Sequence, residues 1–420
     1  MKKTFLSILI LLFTVSINYG SGFQINEHSA RAMALGGAFT GLANDPSAVY
    51  FNPAGITQLT GSHLMLGSTL ILPKSSFRGP SPSIKEYDMD TQAFTPINFY
   101  FTQQLSDKFH IGFSVNNPYG LGTRWPKNWV GKYLAIETEI RTFYLNAVAS
   151  YQVTDQLSIG WGFTYAFGNV KITRYQNLSP FAADAFIDLE GNGTGAGFTA
   201  GLLYKPSKTF SVGVSYRSKV RFTFDGDATA QAPKQFTGLI PTGKVSAPLT
   251  LPDNLVVGIA VNPTCELTLT ADFQYVGWSS YDKLEVDFKD AIDPTTGKPA
   301  TSSSVRDYKN SYIARVGAEY TLSDNFALRA GLLYDKNPVK DERLDPTLPD
   351  ADRFGFNGGI GIKITDNLSL DLAYFFLRFD ERKITNSLEN YSGISDSFAP
   401  MNGVYNSTAH LIAANLSIKF

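Results

Sequence analysis

Cysteine is nearly missing. Cys265 is the single one in 420 residues, so no disulfide can form within the chain and packing and hydrogen bonds must hold the fold. Charge is scarce too: 17% of residues are charged, with 36 Lys and Arg against 37 Asp and Glu, and a net charge of −1 gives nucleic acid little to bind. There are four histidines, His28, His63, His110 and His410. Only His110 and Ser114 fall near one another on one face of an alternating run, and no acid in the readable pattern orients that imidazole. A nucleophilic enzyme is therefore not expected, nor is a metal or cofactor. Beyond the first residues no apolar run reaches about 18 residues, which excludes a helical membrane protein.

Aromatic residues (13%) and glycine (36 residues) are plentiful, and they fall in a pattern of period two. Leu157, Ile159, Trp161, Phe163, Tyr165 and Phe167 alternate with Ser158, Gly160, Gly162, Thr164, Ala166 and Gly168. Phe210, Val212, Val214, Tyr216, Val220, Phe222 and Phe224 alternate with smaller or basic residues, interrupted only at Ser218. The final segment does the same, with His410, Ile412, Ala414, Leu416, Ile418 and Phe420 on one face. Strands of soluble sandwiches are usually about 3–10 residues long. These runs suit tilted strands of an outer-membrane barrel, apolar toward lipid and small or polar toward the lumen.

Turns give the count. Six short polar connections separate alternating runs, at Ser106-Asp107, Thr154-Asp155, Pro206-Ser207, Asn262-Pro263, Ser323-Asp324 and Thr365-Asp366. Between them lie longer polar stretches such as 73–92, 225–247, 289–305 and 336–351. Short turns on one rim and long loops on the other are the barrel arrangement. Adding a first strand (about Ser62 to Leu72) and the terminal one predicts an all-β, 14-stranded antiparallel transmembrane β-barrel spanning 62–420, in a bacterial outer membrane. Phe420, a terminal aromatic, suits recognition by barrel-assembly machinery.

The N-terminus reads as a secretory signal over 1–20: Lys2 and Lys3, an apolar core from Phe5 to Ile17, then Gly20, Ser21 and Gly22. A membrane anchor is the rival reading, but the apolar core is too short. Residues 21–61 break the alternation and are rich in Gly and Ala. A disordered periplasmic tail is one reading, yet the segment is too apolar and too weakly charged for it. The expected alternative is a hatch inside the lumen burying Phe23, Ile25, Met33, Leu35, Phe39, Leu42 and Phe51.

The stretch GFQINEHSARAMALGGAFTGLANDPSAVYFNPAGI resembles the N-terminal hatch of the FadL family, outer-membrane transporters of long-chain fatty acids and other hydrophobic compounds. Asn117-Pro118-Tyr119-Gly120-Leu121, Leu251-Pro252-Asp253 and Pro349-Asp350-Ala351-Asp352-Arg353-Phe354 extend the similarity along the mature chain. The resemblance implies a fourteen-stranded barrel closed by the hatch. It also implies an outer capture groove, an internal apolar pocket, and sideways release of ligand through the barrel wall.

Arg174 is the first candidate for ligand contact. Counting by twos places it on the lumen face with Gly160, Thr164 and Gly168, and the resemblance implies a carboxylate there. Arginine can grip a carboxylate through two parallel N–H bonds. An ordinary lumen arginine paired with Asp272 or Glu319 is the competing account. The family's second basic partner has no clear match in Thr301-Ser302-Ser303-Ser304. Phe23 is expected either in the internal pocket, as its movable part, or as an anchor for the plug. Asn116, Asn117 and Pro118 end an alternating run where proline removes a ladder donor, so they mark either a plain strand end or a lateral opening. Asn52, Pro53 and Ala54 are expected in the hatch facing that break, or as a capped helix start. The row Arg217, Lys219 and Arg221 reads as a solvated wall or lumen ion-pair network. Phe181, Phe186, Leu189, Phe236, Leu239 and Ile240 fall in the loops that the resemblance assigns to the capture groove.

The expected function is passive uptake of a hydrophobic small molecule, most simply a long-chain fatty acid, delivered to outer-membrane lipid by a monomer. Aromatic hydrocarbon uptake by the same route is the alternative. A porin for hydrophilic solutes explains the barrel but gives residues 21–61 no purpose.

Overall fold

The computed structural model describes residues 22–293, 297–394 and 397–420. The signal expected at 1–20, Ser21 and the side chain of Leu239 lie outside the described residues. Fourteen antiparallel strands form one closed sheet. These are β1 (Ser62–Arg78), β2 (Ile97–Gln104), β3 (Phe109–Asn116, resuming at Gly120–Arg124), β4 (Glu137–Gln152) and β5 (Leu157–Asn177). Next come β6 (Asp184–Ser207), β7 (Phe210–Arg217, then Val220–Gln231), β8 (Gly243–Leu251, then Asn254–Val261) and β9 (Leu267–Val276, then Lys283–Ile292). The circuit finishes with β10 (Pro299–Val305, then Ser311–Ser323), β11 (Phe326–Asp335), β12 (Arg353–Thr365), β13 (Leu368–Phe379) and β14 (Gly403–Lys419). Closure runs from His63 opposite Lys419 to Arg78 opposite Val404, so no long edge is left to seek a partner in lipid.

Five of the six short turns fall where the sequence places them; the other is displaced from Pro206-Ser207, the end of β6, to Lys208-Thr209. The long stretches between them are less irregular than expected. β1 continues to Arg78, and β7, β8, β9 and β10 run into 225–247 and 289–305. Above the bilayer both faces of a strand can be polar, so pairing there leaves no alternation to read.

Outward-facing Trp161, Phe163, Phe198, Phe273, Leu332, Phe356 and Ile412 expose 51–58% of their surface. In water a belt of this kind would aggregate; against acyl chains it is the solvent contact. One expectation fails. Val220, Phe222 and Phe224 are buried in the lumen, not lipid-facing, and Arg221 points out while Arg217 points in. The cause is a bulge at Ser218-Lys219. β6 pairs Thr199 with Arg217 but Thr194 with Thr223, a one-residue shift that sends each later side chain to the other face.

Residues 22–61 fill the lumen with two short helices, α1 (Ala30–Ala34) and α2 (Ala48–Phe51), and a 3-10 turn (Pro53–Gln58). Gly36 and Gly37, at φ of 68° and 80°, turn the chain after α1 through a conformation other residues resist. Met33, Leu35, Phe39, Leu42 and Phe51 are buried there. Barrel side chains satisfy the hatch backbone: Asp272 accepts from the Phe39 and Thr40 amides (3.1 and 2.9 Å), while Asn357 and Ser211 donate to the carbonyls of Met33 and Gly41 (both 2.7 Å). Arg31 grips Glu319 through two bonds of 2.9 and 2.8 Å, and Arg329 ties Glu319 to Asp371 (2.5 and 2.6 Å). Net gains of about 1 kcal/mol for each such bond bind the hatch body firmly to the wall.

Candidate functional site

The wall is discontinuous at one place that the sequence marks. β2 and β3 pair from Gln104–His110 to Asn98–Asn116 and then separate. Asn117, Pro118 and Tyr119 leave the ladder, and β3 resumes against β4 one residue out of step: Asn116 faces Tyr144, whereas Gly120 faces Arg141. Proline cannot donate at the break, and the Asn117 side chain replaces lost ladder bonds. Asn117 Oδ1 accepts from the Ile97 amide (2.8 Å), and its Nδ2 donates to the Thr142 carbonyl (2.7 Å). Asn116 donates to the Tyr100 hydroxyl (2.7 Å), which donates to the carbonyl of His28 in the hatch (2.6 Å).

The edge that β2 abandons is taken by the first described residues. Gln24 pairs with Tyr119; the Ile25 amide donates to the Pro118 carbonyl (2.9 Å) and the Gly120 amide to the Phe23 carbonyl (3.1 Å). This arm, 22–27, is held beyond by the loop before β12. The Gly22 amide donates to Asp350 (3.1 Å), and Arg353 donates to the Gly22 carbonyl (2.6 Å) while pairing with Asp350 (3.0 Å). Burial pushes the Asp350 carboxyl up to about 6, although Arg353 pulls the other way.

A cavity of about 490 Å³ lies beside the arm. Its inner wall includes Phe375, Leu377 and Leu411 from the lumen faces of β13 and β14. Its other end reaches Ile97 and Phe143, whose side chains face outward; Phe143 stacks on lipid-facing Phe167 with centroids 5.1 Å apart. The cavity thus runs from the lumen to the outer surface through the break.

Phe23 is 4% exposed and lines this cavity, its ring 4.8 Å from Trp278, 5.9 Å from Tyr281 and 6.3 Å from Tyr119. Arg174 does not line it. Ladders to β4 and β6 run through Thr173 and Arg174 in unbroken register from Gly168, so the lumen parity holds. Arg174 donates to the Tyr133 carbonyl (3.3 Å) and has no ion pair among the described residues. Asp272 serves the hatch backbone and Glu319 serves Arg31 and Arg329, so neither balances it. Arg306 stands close enough to repel it and is itself paired with Asp345. Arg174 and Phe23 are therefore not in one pocket.

Asn52, Pro53 and Ala54 do not face the break. Asn52 donates to the carbonyls of Thr40 and Leu202 (both 3.0 Å) and caps the 3-10 turn by accepting from the Ala54 amide (3.2 Å). Ser150 donates to the Pro53 carbonyl (2.6 Å), so the triplet seats on β4 to β6. Of the basic row, Arg217 lies 3.8 Å above the Tyr50 ring in the hatch, and Lys219 approaches Asp253 at 3.9 Å. Phe181 and Phe236 meet in the outer loops (4.8 Å), near a small apolar cluster of Ala185, Ile187 and Ile240. Phe186 turns instead to Tyr175 (5.3 Å).

Sequence reasoning missed Phe94, Tyr119, Trp278 and Asp350. Phe94, in the β1–β2 connection, bonds Ile71 in both directions (2.8 and 3.0 Å) and lays its ring on Gly122. Its only signal was an aromatic residue in a polar loop, with two alternate glycines after Pro118.

A closed barrel with a lipid belt, an internal hatch and a cavity piercing the wall defines a plugged outer-membrane transport barrel. The chain belongs to the outer membrane protein transport protein family (OMPP1/FadL/TodX), whose model matches residues 11–420, and it resides in the bacterial outer membrane. It is 27% identical over 414 residues to the long-chain fatty acid transport protein of Salmonella typhi, covering 91% of this chain and 93% of that one. Outer membrane protein P1 of Haemophilus influenzae is 27% identical over 454 residues, covering 93% and 96%. Its fold matches that of a Pseudomonas aeruginosa FadL homologue (TM-score 0.81, 21% identity, 96% of this chain and 100% of that one). It also matches the Ralstonia pickettii toluene transporter TbuX (TM-score 0.70, 18% identity, 97% and 100%).

Proposed function

We propose that this protein is a passive channel that carries hydrophobic small molecules, foremost long-chain fatty acids, across the outer membrane and releases them sideways into lipid. The observation that carries this reading is the cavity itself. It is apolar at both ends, its volume is typical of small-molecule sites, and it leaves the lumen through the wall instead of through the plugged floor. A greasy ligand gains nothing from a watery exit, whereas the bilayer offers it apolar surroundings throughout.

In this reading the apolar patch at Phe181 and Phe236 captures ligand from outside. Arg174, which has no ion pair among the described residues, receives the carboxylate. Phe23 and the arm separate that region from the cavity and move when ligand arrives. Asn52, Pro53 and Ala54 keep the hatch body seated, and Asn116, Asn117 and Pro118 shape the exit. The protein acts as a monomer, transports without catalysing, and is inserted by assembly machinery that recognises Phe420.

Aromatic hydrocarbons are the second substrate class, favoured by the aromatic rings of Phe23, Tyr119, Trp278 and Tyr281 around the arm. Uptake of labelled palmitate and toluene into proteoliposomes tests the reading. Transport of either that saturates and is independent of ion gradients is expected. Sugar permeation that is the same with and without the hatch would assign a porin instead.

A further inference from the structure

We propose that Phe94 is a shutter in the wall opening, seated on the bare backbone of Gly122, and that it sets the girth of ligand able to leave. The inference rests on lateral release as the transport route and names a specificity residue within it.

Gly120 and Gly122 sit two apart on the resumed part of β3, so they share one face, and both have ordinary negative-φ or extended backbone that other residues could adopt. What forbids a side chain is occupancy. A Cβ on Gly122 would overlap the Phe94 ring, and a Cβ on Gly120 would come within 2.7 Å of Ile25 Cδ1. A glycine in a strand interior marks such a close approach. The face that lost its β2 neighbour is therefore covered by two apolar side chains from different parts of the molecule.

The two covers differ in what holds them. Ile25 belongs to the arm and leaves when the arm leaves. Phe94 belongs to the barrel: its amide and carbonyl are bonded to Ile71, and the Pro96 carbonyl accepts from the Thr69 amide (3.1 Å). Arm withdrawal consequently removes one cover and keeps the other. Phe94 remains half-buried beside the cavity, able to swing about its side-chain torsions while its backbone stays fixed. A ring hinged on a fixed backbone over a glycine gives a passage of defined width.

Selectivity between palmitate and an ω-phenyl fatty acid of equal length is the readout, using the full-length protein in proteoliposomes. Phe94→Ala should raise uptake of the phenyl acid relative to palmitate by about ten-fold, the scale on which small differences in pocket size discriminate. Phe94→Trp should shift the ratio the opposite way. Gly122→Ala, which displaces the ring, should alter the ratio in the native background and add nothing in the Phe94→Ala background, the signature of two residues acting through one contact. Heat-modifiable gel migration identifies folded barrels, and Phe94→Leu supplies a milder variant if Phe94→Ala does not fold. An unchanged ratio in folded Phe94 variants that still transport would overturn the shutter. Wild-type protein that takes up neither acid would instead overturn the transport reading beneath it.

Discussion

Arg174 holds a half-buried positive charge near a second cation, Arg306, and among the described residues no carboxylate pairs with it. Such a group is costly unless something arrives to pair with it. A ligand carboxylate would supply that pairing, so Arg174→Ala should weaken binding of palmitate by about ten-fold or more, in keeping with the ~1.5–3 kcal/mol of a charge-assisted hydrogen bond. Affinity for a neutral hydrocarbon of similar length should stay the same. Titration in detergent, followed by tryptophan emission or heat, separates the outcomes; equal loss for both ligands would remove the carboxylate role. Glu319 presents the opposite case, a buried acid serving two arginines from different elements. Glu319→Gln removes the carboxylate that Arg31 and Arg329 share, leaving Arg31 with Asp45 (3.4 Å) and Arg329 with Asp371 (2.6 Å). Losing charge-assisted hydrogen bonds of this kind costs about 1.5–3 kcal/mol each. The expected results are a lower denaturation midpoint and a hatch more readily cut by added protease.

Among the elements, the arm and the broken strand form the movable joint, because their pairing is short whereas the hatch body is bonded to many wall strands. Gln24 and Tyr119 face each other with the bonds on either side of them, the close kind of antiparallel pair whose Cα atoms lie about 4.5 Å apart. Cysteines at such a pair are near enough to bridge. With Cys265→Ser to remove the exposed native thiol, a Gln24→Cys and Tyr119→Cys pair should stop uptake when oxidised and restore it when reduced. Continued uptake by the fully oxidised protein would mean that the arm need not move. The strand break itself was legible from Asn116, Asn117 and Pro118, because proline's missing donor is a local fact. Its filling was not. Phe94 and Ile25 meet the two glycines from about 30 and 95 residues away in sequence, and nothing local signals that approach. The face reversal after Ser218 was hidden for a related reason. A single extra residue inverts an alternating pattern without disturbing its appearance.

At the scale of the whole molecule, the barrel was readable because lipid and lumen impose opposite demands on successive residues, and short turns leave a countable mark. The hatch contents could be named from composition, but its seating could not. Asn52, Pro53 and Ala54 rest on β4 to β6 through polar groups whose partners lie up to about 150 residues distant. What the hatch covers decides what the barrel would be without it. The inner wall carries Asp272, Arg315, Glu319, Arg329 and Asp371, a set suited to water once the covering peptide is gone. Deleting 22–61 while keeping residues 1–21 should therefore convert a tight transporter into a polar pore. Liposome swelling in arabinose should be slow for the intact protein and fast for the deletion, with the opposite trend for saturable palmitate uptake. If the deletion folds and admits no arabinose, strands must collapse into the vacated lumen, and the hatch would be a core of the fold instead of a closure within it.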